Sequence, residues 1–419
     1  MMNKLFYLIL FLFIPYLSSS TSKYDSYKGL VMAGYQGWFN TPTDGADRGW
    51  FHYQKNRSFD PGSCTIDMWP DMREYTKKYP TNFRFADGST AYVFSSFDES
   101  TIDLHFKWMK DYNIDGVFLQ RFIVTLKTES GRLHSHRVIK AALKAAKKYD
   151  RVLAIMYDLS GMVEEDYGIL INDWKSIQEE FYINDRSKYT NYLFHNKKPL
   201  VAVWGVGFND NRRYGFEATN KIIDFLKSEK SNCSVLLGVP TQWRSQTIDA
   251  LNDVRLHETI KRVDIVHPWF VGRFNEQTYD DYLPLISEDL KWCKKNGLDY
   301  VPTVFPGFSW YNMKEGAALN HIPRNKGNFI WKQFAGSVNA GAEMIYVAMF
   351  DEIDEATAIF KVAHEVPVGQ SKFVPMDSEL ESDHYLWLTG MAKKMLNKKI
   401  PFSWLQPERE MKQHPDKII

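Results

Sequence analysis

The sequence predicts an α/β fold, a single (β/α)8 barrel of the TIM type with a long first βα loop. Three observations carry this expectation. Apolar runs rich in β-formers recur eight times, most of them are continuous rather than alternating, and amphipathic helical patterns lie between them. Continuous apolar runs suit parallel strands covered on both faces. Strand and helix in regular alternation then read as a closed barrel, with an open doubly wound sheet as the alternative. No glycine-rich phosphate fingerprint follows the first strand, which counts against a dinucleotide-binding version.

The predicted strands are GLVMAGYQGWF (Gly29–Phe39), GVFLQRF (Gly116–Phe122), VLAIMYDL (Val152–Leu159) and LVAVWGVGF (Leu200–Phe208). They continue with SVLLGVP (Ser234–Pro240), VDIVHPWF (Val263–Phe270), YVPTVFPGF (Tyr300–Phe308) and MIYVAMF (Met344–Phe350). Helices are expected over His134–Asp150, Glu217–Lys230, Tyr279–Gly297 and Arg324–Gly341, the last ending on a glycine that stops it. The stretch Gly49–Ser100 fits neither pattern and is expected to form the long first loop with one extra strand. Long loops on that face of a barrel shape the active site.

At both ends the chain changes character. Lys4 precedes the apolar run LFYLILFLFIPYL and then SSSTS, the layout of a signal peptide over residues 1–20. The run is short for a membrane span, and an uncleaved anchor is the alternative. The mature chain is therefore expected to be secreted or periplasmic, free of the membrane after cleavage, and monomeric. Residues 21–400 form the barrel, and a polar tail over 401–419 is expected to fray. Lys+Arg is 52 and Asp+Glu is 51, so no net field steers the chain toward nucleic acid. Three scattered cysteines, Cys64, Cys233 and Cys293, make neither a disulfide framework nor a zinc site. They read as small buried hydrophobes.

In such barrels the chemistry sits where strands run into the following loops. The candidates there are Tyr35, Gln36 and Trp38, then Gln120 and Arg121, then Tyr157 and Asp158. Trp204, Gln242, Trp243, His267, Trp269, Phe308 and Trp310 follow on later strands. Aromatic and polar groups around one rim describe a cleft for an oligosaccharide or polysaccharide. The eighth strand ends in four carboxylates within five residues, Asp351, Glu352, Asp354 and Glu355. Glu352 and Glu355, three apart, are expected to reach one pocket. Crowded together they cannot both ionise easily, so one acid and one base result, as glycoside cleavage requires. Two alternatives are an acidic cap on a helix N-terminus and a Ca²⁺ or Mg²⁺ site. A metal-dependent hydrolase would want histidine beside the carboxylates, and only His267 stands at a strand end. Neither metal nor cofactor is expected.

The run from Arg324 to Phe360, RNKGNFIWKQFAGSVNAGAEMIYVAMFDEIDEATAIF, resembles the last strand of glycoside hydrolase family 99 and its neighbour family 71. YQGWFN and VPTVFPGF resemble that family's first and seventh strands. The resemblance implies an endo-α-mannosidase or endo-α-1,2-mannanase type of activity with a retaining mechanism. Glu352 would act as base on the sugar's own 2-hydroxyl, giving a 1,2-anhydro sugar. Glu355 would protonate the leaving oxygen and then activate water. Arg324, Tyr35 and Trp38 match substrate-side positions. Asp351, Ile353, Ala356 and Phe360 stand where the family has Asn, Trp, Gly and Glu, which points to a divergent member of altered specificity. A catalytically silent carbohydrate-binding protein on the same barrel is the competing reading.

Overall fold

The structure, a computed structural model, describes residues 24–185 and 191–409. The signal-peptide stretch lies outside the described residues. The parallel strands are β1 (Val31–Tyr35), β2 (Gly116–Phe122), β3 (Val152–Asp158), β4 (Lys198–Trp204), β5 (Ser234–Val239) and β6 (Ile265–Pro268). The seventh, β7, comes in two pieces, Asp299–Tyr300 and Thr303–Val304, and β8 is Ile345–Val347. The first piece of β7 pairs with β6 and the second with β8, while β8 pairs with β1. One chain run thus bridges both edges of the sheet and closes the barrel. Pro302, which has no N–H to give to a ladder, sits at the break.

Eight helices alternate with these strands among the described residues: α1 (Glu99–Asp111), α2 (Glu129–Tyr149), α3 (Tyr167–Glu180), α4 (Phe216–Lys227), α5 (Val254–Ile260), α6 (Tyr279–Lys295), α7 (Asn328–Asn339) and α8 (His384–Leu396). The expected helix from His134 begins earlier, at Glu129, because the Thr128 side chain accepts from Gly131 N and caps it. Lys147 and Lys148 in its last turn complement the helix dipole. The expected helix from Arg324 starts instead at Asn328, because Lys326 and Gly327 are left-handed. Helices α1, α3, α5 and α8 are not among those expected from the sequence. In α1 the buried residues Ile102, Phe106 and Met109 keep helical spacing.

Sheet packing leaves little room where β2 and β3 meet. A Cβ on Gly116 would lie 1.7 Å from the carbonyl oxygen of Val152, so only glycine fits. The first βα loop contains two extra strands rather than one, an antiparallel hairpin of Tyr79–Arg84 with Thr90–Val93. This loop crosses to the end of β8, where Asp67 N and Met68 N both donate to Ile353 O. The tail is tied down at least as far as Arg409, contrary to the expected fraying. Trp331 Nε1 donates to Ser403 O, Gln406 Nε2 to Lys326 O, and Arg409 pairs with Asp383. Cys64, Cys233 and Cys293 are buried and free. No helix among the described residues is long and apolar enough to cross a membrane.

Candidate active site

A strand sends successive side chains to opposite faces, so each barrel strand points alternate residues at the axis and at the helices. On β2, Gln120 and Phe122 face inward and Arg121 outward. On β3, Asp158 faces inward and Tyr157 outward. The inward set at the strands' C-terminal ends lines a cleft of about 410 Å³. Its walls include Gln36, Trp38, Gln120, Phe122, Asp158, Trp204, Trp269, Phe308 and Trp310, with Glu352 and Glu355 at one side.

The two glutamates reach the cleft by a turn, not a helix. No helix follows β8 until α8, so the acidic run caps no helix N-terminus. Thr357 N and Ala358 N both donate to the carbonyl of Glu352, and Ala356 takes a positive φ of 54°. Ser309 N, from the loop after β7, donates to the carbonyl of Glu355 and pins the far side of the turn. Asp351 holds the near side: its carboxylate accepts from Gln36 N at 2.7 Å and Gly37 N at 2.9 Å. The end of β8 is thereby fastened to the end of β1.

Both oxygens of Glu352 are held. Gln36 Nε2 donates to Oε1 at 2.7 Å and Thr357 Oγ1 to Oε2 at 2.9 Å. Burial pushes the Glu352 carboxyl well above its ordinary range, and the neighbouring Glu355 and Asp354 push it further. The two donors oppose this, because they favour the ionised form. Glu355 is pushed up to about 8 by burial and by Asp354. The Trp310 indole N–H faces Glu355 and partly offsets that shift, without closing a hydrogen bond of good geometry. Asp158 is raised to about 6 by burial, with Ser160 N donating to it. The site therefore keeps protons among its carboxyls near neutral pH, and the glutamate pair titrates as a unit.

A further carboxyl, Asp354, lies behind the cleft against His52 of the first loop, Oδ2 to Nδ1 3.1 Å. The His52 ring stacks on Trp38 with centroids 3.5 Å apart and planes 5° apart. Burial lowers His52 to about 3 and raises Asp354 to about 8, so both are shifted toward their uncharged forms. Nothing local in the sequence marks His52; only the fold of the long loop brings it under Trp38. Phe122, Phe208 and Arg212 were missed too, although parity with Gln120 marks Phe122.

Of the residues expected in the site, Gln36, Trp38, Gln120, Asp158, Trp204, Trp269, Phe308, Trp310, Glu352 and Glu355 converge on the cleft. Seven do not. Tyr35 points outward, is fully buried, and bonds His105 of α1 at 2.8 Å. Arg121 and Tyr157 point outward to Asp173 of α3, with Arg121 Nε to Oδ2 2.8 Å and Tyr157 Oη to Oδ2 2.6 Å. Trp243 leaves the rim to donate to Asp289 of α6. His267 is two residues before Trp269 and so lies one layer lower, buried against the Tyr346 ring at 4.4 Å. Arg324 is buried behind the β8 turn, with its guanidinium 4.1 Å from the Tyr385 ring centre and a bond to Ala358 O. Asp351 is wholly buried and braces backbone.

Four buried polar atoms of cleft residues have no protein partner: Gln36 Oε1, Trp38 Nε1, Trp204 Nε1 and Trp310 Nε1. Buried polar groups are normally paired, and leaving one unpaired is costly. Three indole donors and one amide acceptor around aromatic faces match a ligand with an apolar face and a hydroxyl-studded edge.

No family model matches the sequence, and no curated protein matches it. Solved structures do. Two structures of the family 99 endo-α-mannosidase from Bacteroides thetaiotaomicron, one in complex with bis-tris-propane, superpose with TM-scores of 0.67 and 0.66. Each match covers 89% of this chain and 99% of the other, at 14% identity. Family 99 is the family that the β8 run resembles, and the likeness in structure is one of fold: this chain and those endo-α-mannosidases share the same (β/α)8 architecture over nearly their whole length.

Proposed function

We propose that the chain is an exported retaining glycoside hydrolase, a divergent relative of family 99, acting on an α-mannoside-type or related glycan. The observation that carries this reading is the glutamate pair opening, with raised proton affinities, onto a cleft walled by four tryptophans, three of whose N–H groups lack protein partners. Glu352, with a donor on each oxygen, is the base. Its partner in the reacting sugar is the 2-hydroxyl, which attacks C1 and forms a 1,2-anhydro sugar. Glu355, protonated near neutral pH, gives its proton to the leaving oxygen and then takes one from the water that opens the epoxide. Atoms balance with no other reactant than water, and the two inversions at C1 give retention. The family 99 fold supports the same reading by analogy.

The deciding experiment assays purified protein against defined α- and β-linked oligosaccharides, following the product anomer by NMR. Cleavage with retention, lost in Glu352→Gln and Glu355→Gln, is expected. Tight binding without turnover would establish a carbohydrate-binding protein instead. A substrate that is 2-deoxy at the reacting sugar should bind and stay intact; its efficient hydrolysis, with a glycosyl adduct on Glu352 by mass spectrometry, would point to an ordinary carboxylate nucleophile. Export is tested by the N-terminus of the mature protein, expected to lie beyond residue 20.

A further inference from the structure

We infer that Gln36 is a substrate-contacting residue that serves Glu352 and the sugar at once: its amide N–H holds the carboxylate while its amide oxygen accepts from the sugar hydroxyl next to the one that gives its proton to Glu352. The inference rests on the glycan reading above and deepens it. Gln36 lines the cleft and its side chain is more than nine-tenths buried. Nε2 is committed to Glu352 Oε1 at 2.7 Å, and the backbone N–H of the same residue is committed to Asp351 at 2.7 Å. The amide is planar, so fixing Nε2 fixes the direction of Oε1. That oxygen is buried and has no partner in the protein.

Flipping the amide does not remove the problem. It would turn Oε1 toward Glu352 Oε1, which requires a proton on Glu352, and would leave the amide donor unpartnered instead. The observed orientation suits an ionised Glu352. A hydroxyl that gives its proton toward Glu352 can do so from one side only. Gln36 Oε1, a fixed acceptor beside the carboxylate, takes the hydrogen bond of the neighbouring hydroxyl, the one at C3 when the 2-hydroxyl faces Glu352, and so selects which hydroxyl lies against the base. The groups that bear on Glu352 are Glu355 and Asp354 from its own turn, Thr357 beyond it, and Tyr346 from β8. Besides these, Gln36 holds the carboxylate and lines the cleft through a neutral amide.

The test uses Gln36→Met, which keeps length and loses both polar atoms, and methyl α-D-mannopyranoside with its four monodeoxy analogues as probes, binding being read by tryptophan fluorescence. Wild type is expected to bind the 3-deoxy analogue about tenfold more weakly than the parent, the loss typical of one hydrogen bond. Gln36→Met should bind those two alike, and its acid limb of kcat/KM should move to higher pH, because Glu352 loses a donor that favours its ionised form. Gln36→Glu, which retains an acceptor and loses the amide donor, should keep the discrimination while moving the same limb upward; it also serves if the methionine variant does not fold. Undiminished discrimination in Gln36→Met, or an unmoved acid limb, overturns the inference. Wild type that binds none of the five sugars and cleaves no glycoside overturns the glycan reading itself, a result distinguishable from the first two.

Discussion

The two faces of the strand ends treat polar groups in opposite ways. Outside the barrel, Arg121, Tyr157, Asp173 and the carbonyl of Ser135 form a closed set in which Asp173 receives Arg121 and Tyr157, and Arg121 Nη1 reaches Ser135 O at 3.0 Å. Inside, one residue away along the same strands, Gln120 and Asp158 open onto a cleft with unpartnered indole and amide atoms and carboxyls above their ordinary range. The contrast separates structure from function. A satisfied buried network stabilises one arrangement; a buried polar group left open is held for something that arrives.

Substituting the glutamates should affect activity most. Glu355→Gln and Glu352→Gln should each lower kcat on an unactivated glycoside by about 10²–10⁴-fold, the usual loss of acid–base help. Neither should lower the melting temperature, since each removes a crowded carboxyl. An activated leaving group should restore part of the rate in Glu355→Gln. Full activity in either variant removes that residue from the mechanism.

The outer face predicts the reverse pattern. Asp173→Ala leaves the buried Arg121 guanidinium without its carboxylate and should cost about 3–5 kcal/mol in urea unfolding. Turnover per folded molecule should change little, because no atom of the set faces the cleft. A variant of wild-type stability with poor kcat would reverse the assignment of the two faces.

The pH dependence of stability sharpens the contrast. Glu355 is raised from 4.5 to about 8 and Asp351 from 3.8 to about 7, in both cases mainly by burial. A carboxyl that holds its proton more tightly when folded contributes its stability below the unfolded pKa, and that contribution is lost as pH rises through the folded value. Urea midpoints should therefore fall between about pH 4.5 and 8, and Glu355→Gln should flatten the fall. Asp71 and Asp383 behave oppositely: burial raises them, but Arg73 and Arg409 prevail and hold them below 3.8. Their contribution disappears only in acid, outside that window. A rise in stability from pH 5 to 8 would contradict the inner carboxyl assignment.

The smallest expected effect is none. EDTA should change neither rate nor melting temperature if the β8 carboxyls work by proton transfer. A melting temperature raised several degrees by Ca²⁺ would show instead that their oxygens bind a cation.

Fold and chemistry were legible in the sequence to different depths. Continuous apolar runs such as VLAIMYDL can be buried on both faces only in a parallel sheet covered by helices, so the barrel followed from local pattern. Parity along a strand is local too, and it separates Gln120 and Asp158 from Arg121 and Tyr157 once one residue of each strand is known to face the axis. Which parity faces inward is not written in the polarity of those residues, because the helix-facing side here also carries charge. Only closure of the sheet through Asp299–Val304 decided it. The same holds for the glutamates. Their spacing announced a pair, but the pair meets the cleft because Asp351 is fastened to Gln36 and Gly37 at the other end of the chain, and Ser309, from the loop after β7, to Glu355. His52 beneath Trp38 is the extreme case, a contact made by a long loop folding over the strand ends. Local sequence determined the elements and supplied the acids; long-range hydrogen bonds determined which acids share a site, since those bonds exist only after the barrel has closed.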